Sequence, residues 1–259
     1  MTQYRAACEC DREAIDRLWA LAFPEDGKDD RRRFLNIVSP TRECVVATAD
    51  GRVVSMAFLL PTVLQNGDER LRMRYLYAAA TDPSLRGQGV FANLFAHAAE
   101  VAKADGCAGL FLRPASERLA RYYERLGFAP FFYAQTMTGD AVPSDVAITP
   151  IIADEYAASR TAFLPQTAVE WEPRFLDGTV RVFDGVAVCE RRGDTLYIPE
   201  LLCPTDRTET YAAALAHAYG CARYCCRVPA KDRQQAVGWL YPIGKIEENG
   251  VPYMGVALD

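Results

Sequence analysis

The chain has 259 residues, of which 50% are hydrophobic and 24% charged, with a formal net charge of −5. That length fits one large domain or two small ones, and the composition supplies material for a substantial core. The acidic balance and the lack of a long basic run exclude nucleic acid as an expected main partner, and no apolar stretch reaches membrane-spanning length. Met1-Thr2-Gln3-Tyr4-Arg5 leads directly into structured-looking sequence without an apolar leader, so a cytoplasmic location is the expectation.

Gln3 to Glu9 reads as a first strand. Asp11 is a suitable N-cap, and Ile15, Leu18, Trp19 and Ala22 then share one helical face. Phe23-Pro24 ends that helix. A polar loop, Glu25 to Asp30, precedes a short helix from Arg31 to Val38, closed by Ser39-Pro40. A meander follows, with strands Cys44 to Ala49, Val53 to Leu64 and Arg70 to Ala80. Asp50-Gly51 and Asn66-Gly67 are its hairpin signals. In the third strand Arg70, Arg72 and Arg74 alternate with Leu71, Met73 and Tyr75, which puts the three Arg on one face. That row reads either as a solvated sheet face or as a cationic wall near a phosphate or acidic substrate.

The next stretch organises the rest. It reads Thr81-Asp82-Pro83-Ser84-Leu85-Arg86-Gly87-Gln88-Gly89-Val90-Phe91. Asp82-Pro83 stops the strand. Gly87 and Gly89 let a ligand approach the backbone without a Cβ in the way. The helix that follows carries Val90, Phe91, Leu94, Ala98 and Val101 on its apolar stripe, and its first N–H groups point back at the loop. This arrangement holds anions. It is neither a dinucleotide fingerprint, because the third Gly is absent, nor a P-loop, because no Gly-Lys-Ser/Thr ending follows. Ala108 to Leu112 is an apolar run suited to a parallel strand covered on both faces. Ser116 is the N-cap of a further helix with a Leu119, Tyr122, Tyr123, Leu126 stripe, and Gly127 is its C′ residue. Phe128 to Thr138 is another strand region, and Gly139 to Ser144 is the best linker.

The second half repeats the first in outline. It reads as a helix (Ala153 to Phe163), a short piece (Trp171 to Leu176) and three strands (Val180 to Phe183, Val186 to Glu190, Leu196 to Cys203). Pro204 ends the last of these as Pro83 ended its counterpart. A helix (Thr208 to Tyr219) and a strand (Ala222 to Val228) follow, then a helical reading for Lys231 to Leu240 and a final strand for Val251 to Leu258. The second turn, Pro204-Thr205-Asp206-Arg207-Thr208-Glu209, has no glycine. Its two carboxylates would repel a phosphate. Of the two halves, only the first is therefore expected to bind a phosphorylated ligand. The nine cysteines contain no CxxC pair, and neither His lies beside one. They read as small buried hydrophobes rather than as disulfides, metal ligands or nucleophiles.

Two features of the first half are informative together. The loop Arg86-Gly87-Gln88-Gly89-Val90-Phe91 follows the strand end Ala79-Ala80-Thr81-Asp82-Pro83. Farther on, a helix ends as Tyr123-Glu124-Arg125-Leu126-Gly127-Phe128. In this order and spacing they resemble the acetyl-CoA-binding core of the GNAT N-acetyltransferase superfamily. The resemblance covers residues 2 to 138 in element order and is sharp over 76 to 128. It departs at Phe91, where the family has Gly or Ala, and at Ser116, where an Asn is often found. The two-part layout resembles tandem GNAT proteins, including the larger enhanced-intracellular-survival acetyltransferases.

The resemblance implies an α/β fold with a mixed sheet. It implies an intact GNAT unit over 1–138, a linker over 139–144 and a degenerate GNAT-like unit over 145–259. It implies acetyl-CoA as co-substrate, an amine acceptor and no metal, and leaves an oligomer open. Backbone groups of Ala79, Ala80 and Thr81 would pair with the pantetheine arm and polarise the acetyl carbonyl. N–H groups from Arg86 to Phe91, through Gly87, Gln88, Gly89 and Val90, would hold the pyrophosphate, with Ser116 beside the cofactor. Tyr123 would protonate the leaving thiolate. A base is not evident. Glu200, inside an apolar run, is either a buried base or a paired structural carboxylate. The expected function is acetyl transfer to a primary amine, and the alternative is a non-catalytic acyl-CoA-binding or regulatory protein.

Overall fold

The computed structural model describes residues 1–247 and 249–257. Its first half runs β1 (Gln3–Ala6), α1 (Arg12–Ala22), α2 (Lys28–Ile37), α3 (Pro40–Glu43), β2 (Cys44–Ala49), β3 (Arg52–Asn66), β4 (Glu69–Thr81), α4 (Val90–Ala104), β5 (Gly109–Leu112), α5 (Glu117–Arg125) and β6 (Ala129–Asp140). The second runs β7 (Ile148–Pro150), α6 (Ala153–Arg160), β8 (Thr167–Trp171), β9 (Thr179–Val182), β10 (Gly185–Arg192), β11 (Thr195–Leu202), α7 (Thr208–Ala218), β12 (Arg223–Pro229) and β13 (Ala236–Pro242). Both hairpin signals form turns. Asp50 and Gly51 take φ of 50° and 75°, and Gly67 takes 63°. Such values fit the primed turns that match strand twist.

The strands form one mixed sheet in the order β1-β2-β3-β4-β5-β13-β6-β12-β11-β10-β9-β7, with β8 paired to β3. Among the described residues, β4–β5 and β11–β12 are the strand pairs that run parallel. On one face α4 buries Leu94, Phe95, Ala98 and Ala102 against Val45, Leu59, Leu76 and Leu110. On the other, Ile15, Leu18 and Trp19 of α1 and Leu35 of α2 pack on Phe58, Leu60 and Tyr75, and this core continues to Tyr156, Val188 and Leu202. A third core forms between α7 and β9–β12. Among the described residues no helix is long and apolar enough to cross a membrane.

The structure corrects several expectations. Lys231 to Leu240 is not helical. Ala236–Pro242 is β13, inserted antiparallel between β5 and β6. The open slot between those two strands outweighs local propensity there. Gly139 and Asp140 belong to β6, paired with Tyr224 and Arg223, so the irregular connection begins later than the expected linker. Of the final strand expected over Val251 to Leu258, Leu258 lies outside the described residues. The remainder makes a single bridge, Ala168 to Tyr253, yet Tyr253, Met254 and Val256 are buried. That segment crosses where β11 and β12 part. Arg227 donates to the Gly255 carbonyl at 3.1 Å, and Trp171 Nε1 donates to that of Val256 at 3.0 Å.

Cys8 and Cys10 form a disulfide, with Cα atoms 5.3 Å apart. This corrects the expectation of free thiols for that pair. The short 3₁₀ turn after β1 brings the two side chains together, which spacing alone does not reveal. Cys44, Cys107, Cys189, Cys221 and Cys226 are free and buried, as expected. Burial pushes the Cys189 and Cys226 thiols up to about 12, which keeps them protonated and inert. Asp11 does sit at the N-cap of α1, but its carboxylate is taken by Arg5 at 2.6 and 2.9 Å and by the Cys8 N–H at 2.8 Å.

Candidate active site

The site begins where two parallel strands separate. β4 pairs with β5 only from Met73 to Tyr75, opposite Gly109 to Phe111. Beyond Tyr75, β4 continues along β3 while β5 ends, which opens a wedge with one strand on each side. The register of β4 on β3 slips between Tyr77 and Ala80, and Ala78 takes φ of 45° in that bulge. A bulge re-aims the backbone next to it. Ala79 faces the resulting cleft. Ala80 and Thr81 do not present their carbonyls to it. The Ala80 carbonyl accepts from the Ser55 hydroxyl at 2.9 Å, and that of Thr81 accepts from Arg86 Nε at 3.1 Å. Ser55, fully buried on β3, also lies 2.8 Å from the Thr81 hydroxyl. It fixes the strand end, and nothing in its local sequence marks it.

The loop after β4 is built to leave N–H groups open. The Asp82 carboxylate accepts from the Ser84 N–H at 2.9 Å and hydroxyl at 2.7 Å, which holds it below the usual carboxylate range. Gly87 and Gly89 both take φ of 77°, and a Cβ on either would meet nothing within 4 Å. Gly89 is the N-cap of α4. The N–H groups of Val90 and Phe91 lie in the first turn and have no intrahelical acceptor by position. The Arg86 N–H instead points to the Pro83 carbonyl at 3.4 Å, so Arg86 contributes through its side chain, which clamps the strand end. Gln88 Nε2 donates to the Ser84 carbonyl at 3.1 Å, closing the loop.

These φ values make Gly89 a direct test. A β-branched side chain in the left-handed region is strained by roughly 1–2 kcal/mol and would stand in the open space beside the N–H groups. Gly89→Val is expected to keep the fold and to lose most of the thermal protection given by CoA, read in a melting experiment with and without CoA.

Tyr123 sits on α5 with its ring in a cage. Phe91 meets it at 6.3 Å and 78°, Tyr122 at 5.6 Å and Phe128 at 5.5 Å. Phe91 thus has a role: its bulk holds the Tyr123 ring from the loop side. Burial raises the Tyr123 phenol well above its ordinary value, with neighbouring Tyr122 adding to the shift. The phenol therefore stays protonated over the neutral pH range. Tyr123 and Ala79 line the same cleft, of about 900 Å³. Ser116 caps α5, its hydroxyl accepting the Leu119 N–H at 3.3 Å. Leu119, expected in a buried stripe, is 40% exposed and lines the cleft instead.

The far walls of the cleft escape a reading by motif. Trp19, Phe23 and Phe34 come from α1, its end and α2. Asp26 comes from the connection between those helices, Arg31 from the first turn of α2, and Glu190 and Arg192 from β10 in the second half. The helical stripe marked Trp19 only as a core residue. The Arg row lies at the opposite end of β4 from the glycine loop. Arg70 pairs with Glu170 at 2.7 Å and Arg74 with Asp105 at 3.0 Å, so it is a charge-balanced sheet face. Glu200 does not line the cleft. It is fully buried and accepts from Arg160 at 2.8 and 2.9 Å and from the Tyr156 hydroxyl, which settles it as a paired structural carboxylate.

A family model described as an acetyltransferase (GNAT) domain matches residues 3–131. The chain belongs to the GNAT superfamily. Solved structures agree on the GNAT fold over nearly all of the chain. A GCN5-related N-acetyltransferase from Kribbella flavida is similar at 17% identity and a TM-score of 0.70, covering 93% of this chain and 70% of that one. One from Anabaena variabilis is similar at 14% identity and 0.70, covering 93% and 72%. Eis1 from Mycobacterium abscessus is similar at 14% identity and 0.66, covering 93% and 73%. No curated protein sequence matches the chain. In this GNAT protein the bulged strand and the caged tyrosine line one cleft, the glycine loop follows the end of that strand, and Glu190 and Arg192 of the second half supply part of the wall.

Proposed function

We propose that this GNAT protein transfers the acetyl group of acetyl-CoA, its co-substrate, to a primary amine of a small molecule or peptide by direct attack. The observation that carries the reading is the wedge between β4 and β5, with the glycine loop at its mouth and Tyr123 and Ala79 in one cleft. N–H groups of Gly87 to Phe91 hold the pyrophosphate, and the backbone at the bulge takes the pantetheine arm and the acetyl carbonyl. The amine attacks that carbonyl, the C–N bond forms and the C–S bond breaks. Fixed N–H donors stabilise the oxyanion. Tyr123 gives its proton to the departing thiolate, and the proton shed by the amine returns through water to the phenol.

The chain divides into a GNAT unit and a degenerate second unit that have exchanged a strand. Matching irregularities support this. β4 slips on β3 just before its end, and β11 slips on β10 between Glu190 and Val188 in the same relative place. Each is followed by a Pro-led turn and a helix, and each makes a parallel pair with the next strand on its side. The second wedge has no glycine turn and is crossed by residues 252–257, so it takes no nucleotide.

The test is release of free thiol from acetyl-CoA across a panel of primary amines, with CoA binding read separately by thermal shift. Protection of about 2.7 kcal/mol is expected at ligand concentrations near 100 times Kd. Amine-dependent thiol release supports transfer. CoA protection without thiol release for any amine overturns it in favour of a non-catalytic acyl-CoA-binding protein.

A further inference from the structure

The Cys8–Cys10 pair lies outside the cleft and has no part in the proposed acetyl transfer. Its surroundings are those of a reversible thiol couple rather than of a brace. In the chain-entropy account a disulfide stabilises by closing a loop in the unfolded chain, and the gain grows with loop length. Here the two cysteines are two positions apart, with Glu9 alone between them. The structural gain is therefore small.

The turn is also held without the sulfur bond. The Asp11 N–H donates to the Cys8 carbonyl at 3.0 Å, and the Asp11 carboxylate accepts the Cys8 N–H at 2.8 Å. Arg5 of β1 closes on the same carboxylate through two nitrogens, at 2.6 and 2.9 Å. The Ala7 N–H donates to the Cys44 carbonyl at 2.9 Å, which fixes the end of β1 on β2. None of these bonds involves sulfur, so the frame survives reduction. The reduced side chains stay neighbours, and the bond between them re-forms with the advantage of an intramolecular reaction.

The two sulfurs differ in their surroundings. Cys10 is exposed. Cys8 is half-buried, and its Sγ lies 3.1 Å from Asp11 Oδ2. A disulfide sulfur has no hydrogen to give that oxygen, whereas a Cys8 thiol has one. The turn thus holds an acceptor that only the reduced state uses. Cys8 sits against this carboxylate, which leaves Cys10 as the sulfur open to an incoming thiolate.

We propose that Cys8 and Cys10 form a thiol–disulfide exchange site for low-molecular-weight thiols, with Cys10 as the sulfur attacked and Cys8 as the resolving thiol. The thiolate of a small thiol attacks Cys10 Sγ. A bond forms between the two, the Cys8–Cys10 bond breaks, and the electron pair leaves on Cys8 Sγ. That sulfur takes a proton from solvent and donates it toward Asp11. A second small thiolate attacks the sulfur of the first, which releases the small disulfide and leaves Cys10 to be protonated. The protein pair gains two electrons, and two small thiols are oxidised to one disulfide. The reverse reaction, with the small disulfide as oxidant, restores the pair.

The probe is glutathione with its disulfide. The folded full-length chain is equilibrated in mixtures of the two from both directions, acid-quenched, alkylated and digested. The peptide bearing Cys8 and Cys10 is read by mass as disulfide, dithiol or glutathione adduct. A reversible passage from disulfide to dithiol is expected as the glutathione fraction rises, with the far-UV circular dichroism unchanged. In the Cys8→Ser variant the adduct on Cys10 has no resolving thiol, and it should accumulate about tenfold over that in Cys10→Ser, whose remaining sulfur is half-buried. A pair that stays oxidised in every mixture and opens only in urea is a structural crosslink and overturns the inference. So does a pair that stays reduced in glutathione disulfide alone, reduction that unfolds the chain, or equal adduct in the two variants. The parent titration decides all but the last of these, even where a variant fails to fold.

Discussion

Turnover by the Tyr123→Phe enzyme is expected to fall by about 10²- to 10³-fold while CoA protection in a thermal melt is unchanged. General acid catalysis contributes on that scale, and Phe removes the proton while keeping the ring. The ring is what Phe91, Tyr122 and Phe128 pack on, so the cleft keeps its shape. A loss confined to kcat therefore reports chemistry rather than collapse. The pH profile gives an independent reading. Burial raises the Tyr123 phenol, so the acid form persists as pH rises through the ordinary tyrosine value near 10. A falling alkaline limb owed to Tyr123 is thus expected only above that value, and never on the acid side. Unchanged turnover in the Phe variant would remove Tyr123 from the mechanism.

Arg160→Met is expected to be the most damaging single change to the fold, at about 3–5 kcal/mol. The guanidinium is 4% exposed and Glu200 is fully buried. Removing the guanidinium strands a buried carboxylate among neutral phenols, those of Tyr156 and Tyr253. Against a total stability of about 5–15 kcal/mol, that is a large share. Urea unfolding checks it through the midpoint, with the slope unchanged. The double variant Arg160→Met/Glu200→Leu is expected to recover most of the loss, because a pair replaced together by apolar side chains leaves no buried charge behind. A single variant within 1 kcal/mol of the parent would mean that Glu200 is satisfied elsewhere.

The parts of the fold legible in the sequence are those fixed by local chemistry. Asp50, Gly51 and Gly67 take positive φ and mark their hairpins. Gly87 and Gly89 do the same for the loop, and Ser116 does cap its helix. The candidate donor Tyr123 was legible from its place in a motif, not from periodicity, which makes it look like any core aromatic. What was illegible depends on partners far along the chain. Nothing near Ala236 announces that β5 and β6 leave a slot for it. The fate of Glu200 depends on Arg160, 40 residues away. Trp19 reads as core because most of its ring is core, and only the packing of α1 on α2 shows that its indole edge also serves the cleft. The bulge at Ala78 has no glycine to signal it. There the ladder with β3 imposes the backbone, and Ala pays the conformational cost.

The place of β13 has a consequence for how the protein is made. β5 and β6, which flank it, are both synthesised well before Ala236 leaves the ribosome. At about 5–20 residues per second, β13 arrives about 5 to 20 s after β6. During that interval the nascent first half carries its glycine loop and its tyrosine but holds two apolar strand edges unpaired, the kind of edge that recruits other chains. The groove cannot close its sheet by local contacts, so its completion is a late, long-range event in biogenesis. A fragment ending near residue 140 should accordingly be sticky and inactive, and a trigger-type holding chaperone should bind the nascent chain in that window and release it once β13 has docked.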